Sequence, residues 1–278
     1  MLHRNVTAGK LSPVGAARHD EKGADAPRAC VVNSSGVRVV EIAGVDGCPR
    51  GWIAAVGDAG GPASVGVYAT LQALLAQHPG LGVIAIDMPI GLPDRIGPGG
   101  RGPEGALRPH LGMRQSSVFS VPSRPAVYTH DYRAACDVAL ATSEPPRKIS
   151  KQTFFLFPKI REVDALLRQD QALRERVFEC HPEGAFMTMN AGRPLAEPKK
   201  VKSRPWPAGL EERRKLLEAA GVGPALLSRK PPAGAGADDL LDACACFVVA
   251  ARILRGEARS FPATPGRDGH GLPLAIWA

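Results

Sequence analysis

The sequence predicts an α/β protein: a mixed sheet of three antiparallel strands followed by parallel strands, flanked by helices, with a helical insertion at about residues 93–175. Three observations predict it. Residues 39–46, 51–56 and 64–68 are short apolar runs separated by glycine-rich turns, the pattern of a meander. Residues 81–87 form a fourth apolar run beyond a short helical segment, and a crossover of that kind makes two strands parallel. Residues 238–249 read as an otherwise apolar helix with a strong start signal.

Composition sets the limits. At 278 residues with 44% hydrophobic content, one large soluble domain over residues 38–278 is expected. Residues 1–37 mix Ala, Gly, Ser, Pro and both charges without period and read as a disordered extension. Only 5% of the chain is aromatic, so aliphatic residues and Ala must fill the core. The formal charge of +8 suits a polyanionic partner such as nucleic acid. The 6 cysteines show no C-x-x-C spacing, which argues against a zinc ribbon. They fit reduced thiols in a cytoplasm, with Cys244 and Cys246 as small core residues. No apolar run is long enough to span a membrane, and none resembles a signal peptide.

Each element carries its own signal. The first strand leads through Ile42, Ala43 and Val45 to Asp46 and Gly47. Asp46 is either a turn residue bonding its own backbone or a metal ligand at a strand end. Leu71, Leu74 and Leu75 mark a short helix that stops before Pro79. The fourth strand ends on Asp87, so parallel pairing with the first would set Asp46 and Asp87 side by side at the sheet edge where α/β proteins bind ligands. Two carboxylates placed together repel, and a divalent cation is the simplest remedy. Residues 94–105, with Arg95 and Arg101, are rich in Gly and Pro and read as a mobile surface loop.

Arg114, Ser116, Ser117 and Arg124 could hold phosphate, or the hydroxyls could cap turns. Residues 131–140 look helical. Lys151 precedes an apolar cluster, and Pro158 suits the first turn of a longer helix with Ile160, Val163, Leu166 and Leu167 on its buried face. Lys159 and Glu162, at i and i+3, read as a surface pair. Residues 177–181 are a fifth strand that breaks into a helix at Pro182. Glu183 in that first turn is either a helix-start acid or a third site carboxylate, and His181 reads as a structural histidine. The densest basic run, residues 198–204 with Lys199 and Lys200, could track a nucleic-acid backbone or be a solvated loop. Residues 210–220 form an amphipathic helix closed by Gly221.

The late helix carries the remaining acids. Asp238 is the expected N-cap, and Asp239 in the first turn suits the helix dipole. Asp242 lies one turn inside an apolar helix, on a common face with Asp238 and Asp239. No Lys or Arg follows it before Arg252, so a metal-site role is expected for it.

Here the chain resembles a known pattern. Residues 44–48 (Gly-Val-Asp-Gly-Cys), 86–92 (Ile-Asp-Met-Pro-Ile-Gly-Leu), 116–119 (Ser-Ser-Val-Phe), 159–164 (Lys-Ile-Arg-Glu-Val-Asp), 181–183 (His-Pro-Glu) and 238–243 (Asp-Asp-Leu-Leu-Asp-Ala) together resemble the domain-of-unknown-function 429 family, over about residues 40–278. Members of that family are expected to be ribonuclease H-like nucleases. The late Asp239-x-x-Asp242-Ala243 is also similar to the helix of RuvC-type Holliday-junction resolvases, although Asp87 stands where those enzymes carry Glu.

The resemblance implies phosphodiester hydrolysis by two Mg²⁺ or Mn²⁺ ions, roughly 3.5–4 Å apart. Asp46 would bridge them, Asp87 and Asp242 would hold one each, and Asp239 or Glu183 would complete the set. Arg114, Ser116, Ser117, Lys151, Lys159, Lys199 and Lys200 would hold nucleic acid. The alternatives are a non-catalytic nucleic-acid-binding or interaction protein on the same fold, and a small-molecule phosphotransferase. The last would carry paired glycine-rich phosphate loops in two related halves, and no such repeat is present.

Overall fold

A computed structural model describes residues 31–32 and 38–278. The extension expected over residues 1–37 lies outside the described residues, except that Val31–Val32 pairs antiparallel with Arg38–Val39. The central sheet has five strands: β1 (Glu41–Cys48), β2 (Gly51–Asp58), β3 (Gly61–Tyr68), β4 (Leu81–Ile86) and β5 (Val177–Glu179). Their spatial order is β3-β2-β1-β4-β5. The first three are an antiparallel meander, while β4 runs parallel to β1 and β5 parallel to β4. This is the mixed sheet the sequence predicts. The crossover between the meander and β4 is α1 (Leu71–Gln77), capped by Thr70, whose Oγ1 accepts from the Ala73 amide at 3.1 Å.

The two faces of the sheet are both covered, which explains its apolar strands. On one face, Ala43, Val45, Trp52, Ile84 and Ile86 pack with Leu74 and with Phe157, Ile160 and Val163 of α2 (Lys151–Gln169). On the other, Ile42, Ile53, Val83 and Ala85 pack with α5 (Ala237–Leu254) and its neighbours α3 (Pro182–Met189) and α4 (Pro207–Ala219). A hairpin, β6 (Ser260–Arg267) and β7 (Pro273–Trp277), closes the chain and adjoins β5 through the bridge between Cys180 and Trp277. The sequence pattern does not announce that hairpin.

Three expectations about elements change. The long helix begins at Lys151, not at Pro158, because Ser150 caps it by accepting the Thr153 amide at 3.0 Å and Phe157 seats in the core. Pro158 is therefore an internal residue of a helix anchored on both sides of it. Arg101 is not on a mobile surface loop: it is buried, and it binds Glu104, Glu179 at 2.5 Å and the Ile90 carbonyl at 2.6 Å. Glu179, at the end of β5, also accepts the Ile90 amide at 2.8 Å. This buried network pins the Met-Pro-Ile-Gly-Leu turn that leaves Asp87. Arg124 is likewise no phosphate ligand, since it is buried against Asp164 at 2.8 Å and Asp268 at 2.7 Å.

Candidate functional site

Side chains alternate across a strand with period two. In β1, Ile42 and Gly44 face α5, and so does Asp46. In β4, Val83 and Ala85 share that face, and Asp87 follows in step. The register pairs Val45 with Ile86, and the Asp87 amide donates to the Val45 carbonyl at 2.8 Å. Asp46 and Asp87 are therefore cross-strand neighbours on the α5 side, close enough for each to act on the other. The helix comes close enough to add its own acid because Gly44 has no side chain. A Cβ there would lie 1.9 Å from the Phe247 amide nitrogen and 2.3 Å from the Ala243 carbonyl oxygen. The adjacent Asp242 is thereby brought against the two strand ends.

Carboxylates gathered in one place raise the proton affinity of Asp46 and Asp87. Burial, then the charges of Asp87 and Asp242, push Asp46 well above the ordinary carboxylate range. Burial and Asp242 push Asp87 up to about 7, against the opposing pull of Lys199. Asp46 Oδ1 also accepts its own following amide, from Gly47, at 2.6 Å. The turn reading of Asp46 is thus realised, and the same carboxylate lies beside Asp87 and Asp242. Asp242 is 1% exposed. One of its oxygens is bonded by the Lys199 ammonium, and the other, Oδ1, is buried without a partner.

The other nominated acids are engaged differently. Asp239 Oδ2 accepts the Gly236 amide at 2.8 Å and so closes the start of α5. Gly236 is the N-cap, in place of the expected Asp238, which lies in the first turn and pairs with Lys200 at 2.6 Å. Glu183 sits in the first turn of α3 and is bonded by Arg213, a fully buried residue of α4. Its charge still reaches Asp87.

Lys199 and Lys200, flanking or within a short hairpin (Lys200–Val201 with Arg204–Pro205), turn toward the acids of α5 and do not form a free basic surface. Inspection of the late helix alone misses this pairing, because the partner of Asp242 is 43 residues away. The usable signal was the basic run itself, the densest in a chain with three unpaired-looking acids.

The remaining basic and hydroxyl candidates separate into two groups. Lys159 does not pair with Glu162. Its ammonium donates to the Gly51 carbonyl at 2.6 Å and lies 4.8 Å from the centre of the Trp52 ring, beside the turn that follows Asp46. Glu162 instead accepts Trp52 Nε1 at 3.0 Å and the Leu71 amide at 2.6 Å, joining α2 to the sheet. Arg114, Ser116 and Ser117 lie on a short 3₁₀ turn, Gly112–Ser117, where both serines are exposed.

The Ser117 carbonyl is 3.4 Å from His181 Nε2, so this turn borders the acid cluster. Burial lowers the His181 pKa, which keeps the ring neutral near pH 7 and suits the structural role expected for it. Between the 3₁₀ turn and Asp87 lies a small recess walled by Val118, Phe119, Glu104 and His181. Lys151 is exposed at the start of α2.

The donor set consists of carboxylate oxygens, the chemistry that Mg²⁺ and Mn²⁺ prefer. The buried, unpartnered Oδ1 of Asp242 fits a ligand role as well. Among the described residues, no group of three His, Cys, Asp or Glu side chains is arranged to hold an ion as it stands. The residues therefore fit a hard cation in chemistry, with Lys199 already holding one of the oxygens such an ion would use.

Comparison with known proteins gives one result. The model of the family described as "Protein of unknown function (DUF429)" matches residues 44–267, a span that runs from Gly44 in β1 through α5 to the end of β6. No curated protein and no solved structure matches the chain.

Proposed function

We propose that this chain, which belongs to the DUF429 family, is a ribonuclease H-like nuclease that hydrolyses phosphodiester bonds with the help of a divalent metal. The observation that carries the reading is the convergence of Asp46, Asp87 and Asp242, from two parallel strand ends and one helix, in a chain of net charge +8. Carboxylates so placed repel unless a cation joins them. Asp46, Asp87 and Asp242 would hold Mg²⁺ or Mn²⁺, and when bound such an ion would activate water and stabilise the leaving oxygen.

The chain's own residues have definite tasks on this reading. Asp87, pushed up to about 7 by burial and by Asp242, would gain from the positive charge of a bound ion. Lys199 places positive charge beside the acids, where the phosphate must approach. Arg114, Ser116 and Ser117 border the site on one side and Lys159 on the other, with Lys151 exposed along the same helix as Lys159. These would hold the polyanion. No helix among the described residues is long and apolar enough to cross a membrane. The five described cysteines are free thiols, which supports a reducing cytoplasm.

The test is cleavage of single- and double-stranded DNA and RNA by the full chain with Mn²⁺ or Mg²⁺. Asp46→Asn and Asp242→Asn should each abolish cutting, with the circular dichroism spectrum unchanged. Cutting that survives both substitutions refutes the assignment. One observation favours a second reading, a non-catalytic nucleic-acid-binding protein: the ammonium of Lys199 already neutralises Asp242. Metal-independent binding without cleavage would select it.

A further inference from the structure

We propose, building on the nuclease reading above, that the substrate is single-stranded nucleic acid, with bases stacked on Phe155 and Trp206. Met113, Phe155, Val201 and Trp206 are the large apolar side chains that stand exposed among the described residues, Phe155 at 74%. All four lie on the three segments that border the acid cluster: the 3₁₀ turn at Gly112–Ser117, the start of α2, and the hairpin that follows Lys199. Each has cations beside it in the chain. Arg114 adjoins Met113, Lys151 and Lys159 lie one helical turn to either side of Phe155, and Lys200, Lys202 and Arg204 surround Val201 and precede Trp206.

Lys159 lies against the end of β1, where a Cβ on Gly47 would be 2.9 Å from its Cδ. Leu167, further along α2, lines an apolar pocket with Ile84 of β4 and with Val177 at the start of β5. The helix therefore runs back down the sheet, and its first two turns stand beyond the strand end that carries Asp46. Lys151, Phe155 and Lys159, at i, i+4 and i+8, share one face there, over about 12 Å. The partners of Lys159, the Gly51 carbonyl and the Trp52 ring, are neutral, so its charge is left for an anion. Trp206 is held at both ends: its amide donates to the Lys199 carbonyl at 2.9 Å and its Nε1 to Glu197 at 2.8 Å. This anchors a second ring beside the residue that meets Asp242.

An apolar ring between two ammonium groups matches a ligand that alternates flat apolar faces with anions. A duplex turns its base faces inward and offers phosphates and groove edges, whereas a single strand offers base faces and phosphates together. A protein partner fits less well, because lysine, which flanks Phe155 on both sides, is depleted from protein interfaces.

The experiment is fluorescence anisotropy in EDTA, so that binding is read without cleavage. The full chain is titrated into a labelled single strand, DNA and RNA in turn, into the duplex of the same sequence, and into an abasic strand of the same length. Wild type should bind the single strand about tenfold or more tighter than the duplex or the abasic strand. Phe155→Ala, at an exposed position, should weaken the single strand about tenfold and leave the other two probes unchanged. Phe155→Trp should keep single-strand binding, since any ring stacks. Lys151→Met should weaken all the probes and flatten their salt dependence.

Equal affinity for single strand and duplex, no binding to any probe, or a single-strand affinity that Phe155→Ala leaves unmoved overturns the proposal. So does a Phe155→Ala loss shared by the abasic strand. Self-association of wild type in sedimentation, abolished by Phe155→Ala with nucleic-acid binding unchanged, also overturns it and gives the ring to a second copy of the chain. All of these leave the nuclease reading to its own cleavage test. Single-strand binding through Phe155 by a protein that cuts nothing with Mn²⁺ or Mg²⁺ supports the proposal and overturns the nuclease reading.

Discussion

Replacing Asp87 by Asn should stabilise the metal-free protein at alkaline pH. In the folded state Asp87 is raised from the ordinary value near 3.8 to about 7 by burial and by Asp242. The folded chain therefore holds a proton through a range in which the unfolded chain has lost it. Stability falls as pH rises through that window, and the loss is complete above the folded value. Going from 3.8 to about 7 corresponds to ~4 kcal/mol at most, taking 1.36 kcal/mol for each tenfold change in proton affinity.

Asp46 is raised by the same neighbours, so removing Asp87's charge should recover only part of this, ~2 kcal/mol. For a chain of this size that is a rise of roughly 4–8 °C in Tm. The assay is thermal denaturation of wild type and Asp87→Asn in EDTA between pH 4 and 8.5. Asn resembles the protonated carboxyl, so the two curves should meet near pH 4 and separate steadily toward pH 8. Excess Mn²⁺ should then raise the Tm of wild type more than that of the variant. A variant less stable than wild type at pH 8, or a gap that does not change with pH, refutes the electrostatic account of the cluster.

Two further substitutions test how the site is assembled. Gly44→Ala should destabilise the fold by about 1–3 kcal/mol or more by forcing α5 away from β1, whereas Gly97→Ala, with nothing within 4 Å of its added carbon, should leave the urea midpoint unchanged. Arg101→Met should cost about 3–5 kcal/mol in urea unfolding, because it leaves Glu104 and Glu179 buried without their partner. Adding Glu179→Gln to that variant should restore part of the loss.

Much of the fold is legible along the chain because its signals are local. Apolar runs broken by glycine turns mark β1 to β3, and the apolar run closing on Asp87 marks β4. The start of the long helix is misplaced by sequence because Pro158 is a strong local signal, while the seating of Phe157 in the core is not local at all. The β6–β7 hairpin carries no signal that stands out from its Pro- and Gly-containing surroundings.

The acids of the candidate site are also legible, since a carboxylate at the end of an apolar strand or inside an apolar helix is anomalous wherever it occurs. Their partners are not. Arg213 for Glu183, Arg101 for Glu179 and Lys199 for Asp242 each come from a distant stretch whose own pattern reads as an ordinary amphipathic helix, a Gly- and Pro-rich loop or a basic run.

The sequence by itself determined the strand order along the chain, the two faces of each strand and three acids that no local cation balances. Parallel pairing of two apolar runs that each close on Asp is enough to bring Asp46 and Asp87 to one sheet edge. Only the tertiary structure decided what meets those acids. Charge compensation acts through space, and the ammonium that reaches Asp242 is carried there by a segment packed on α4 through Gly209, a contact that leaves no periodic trace in the chain.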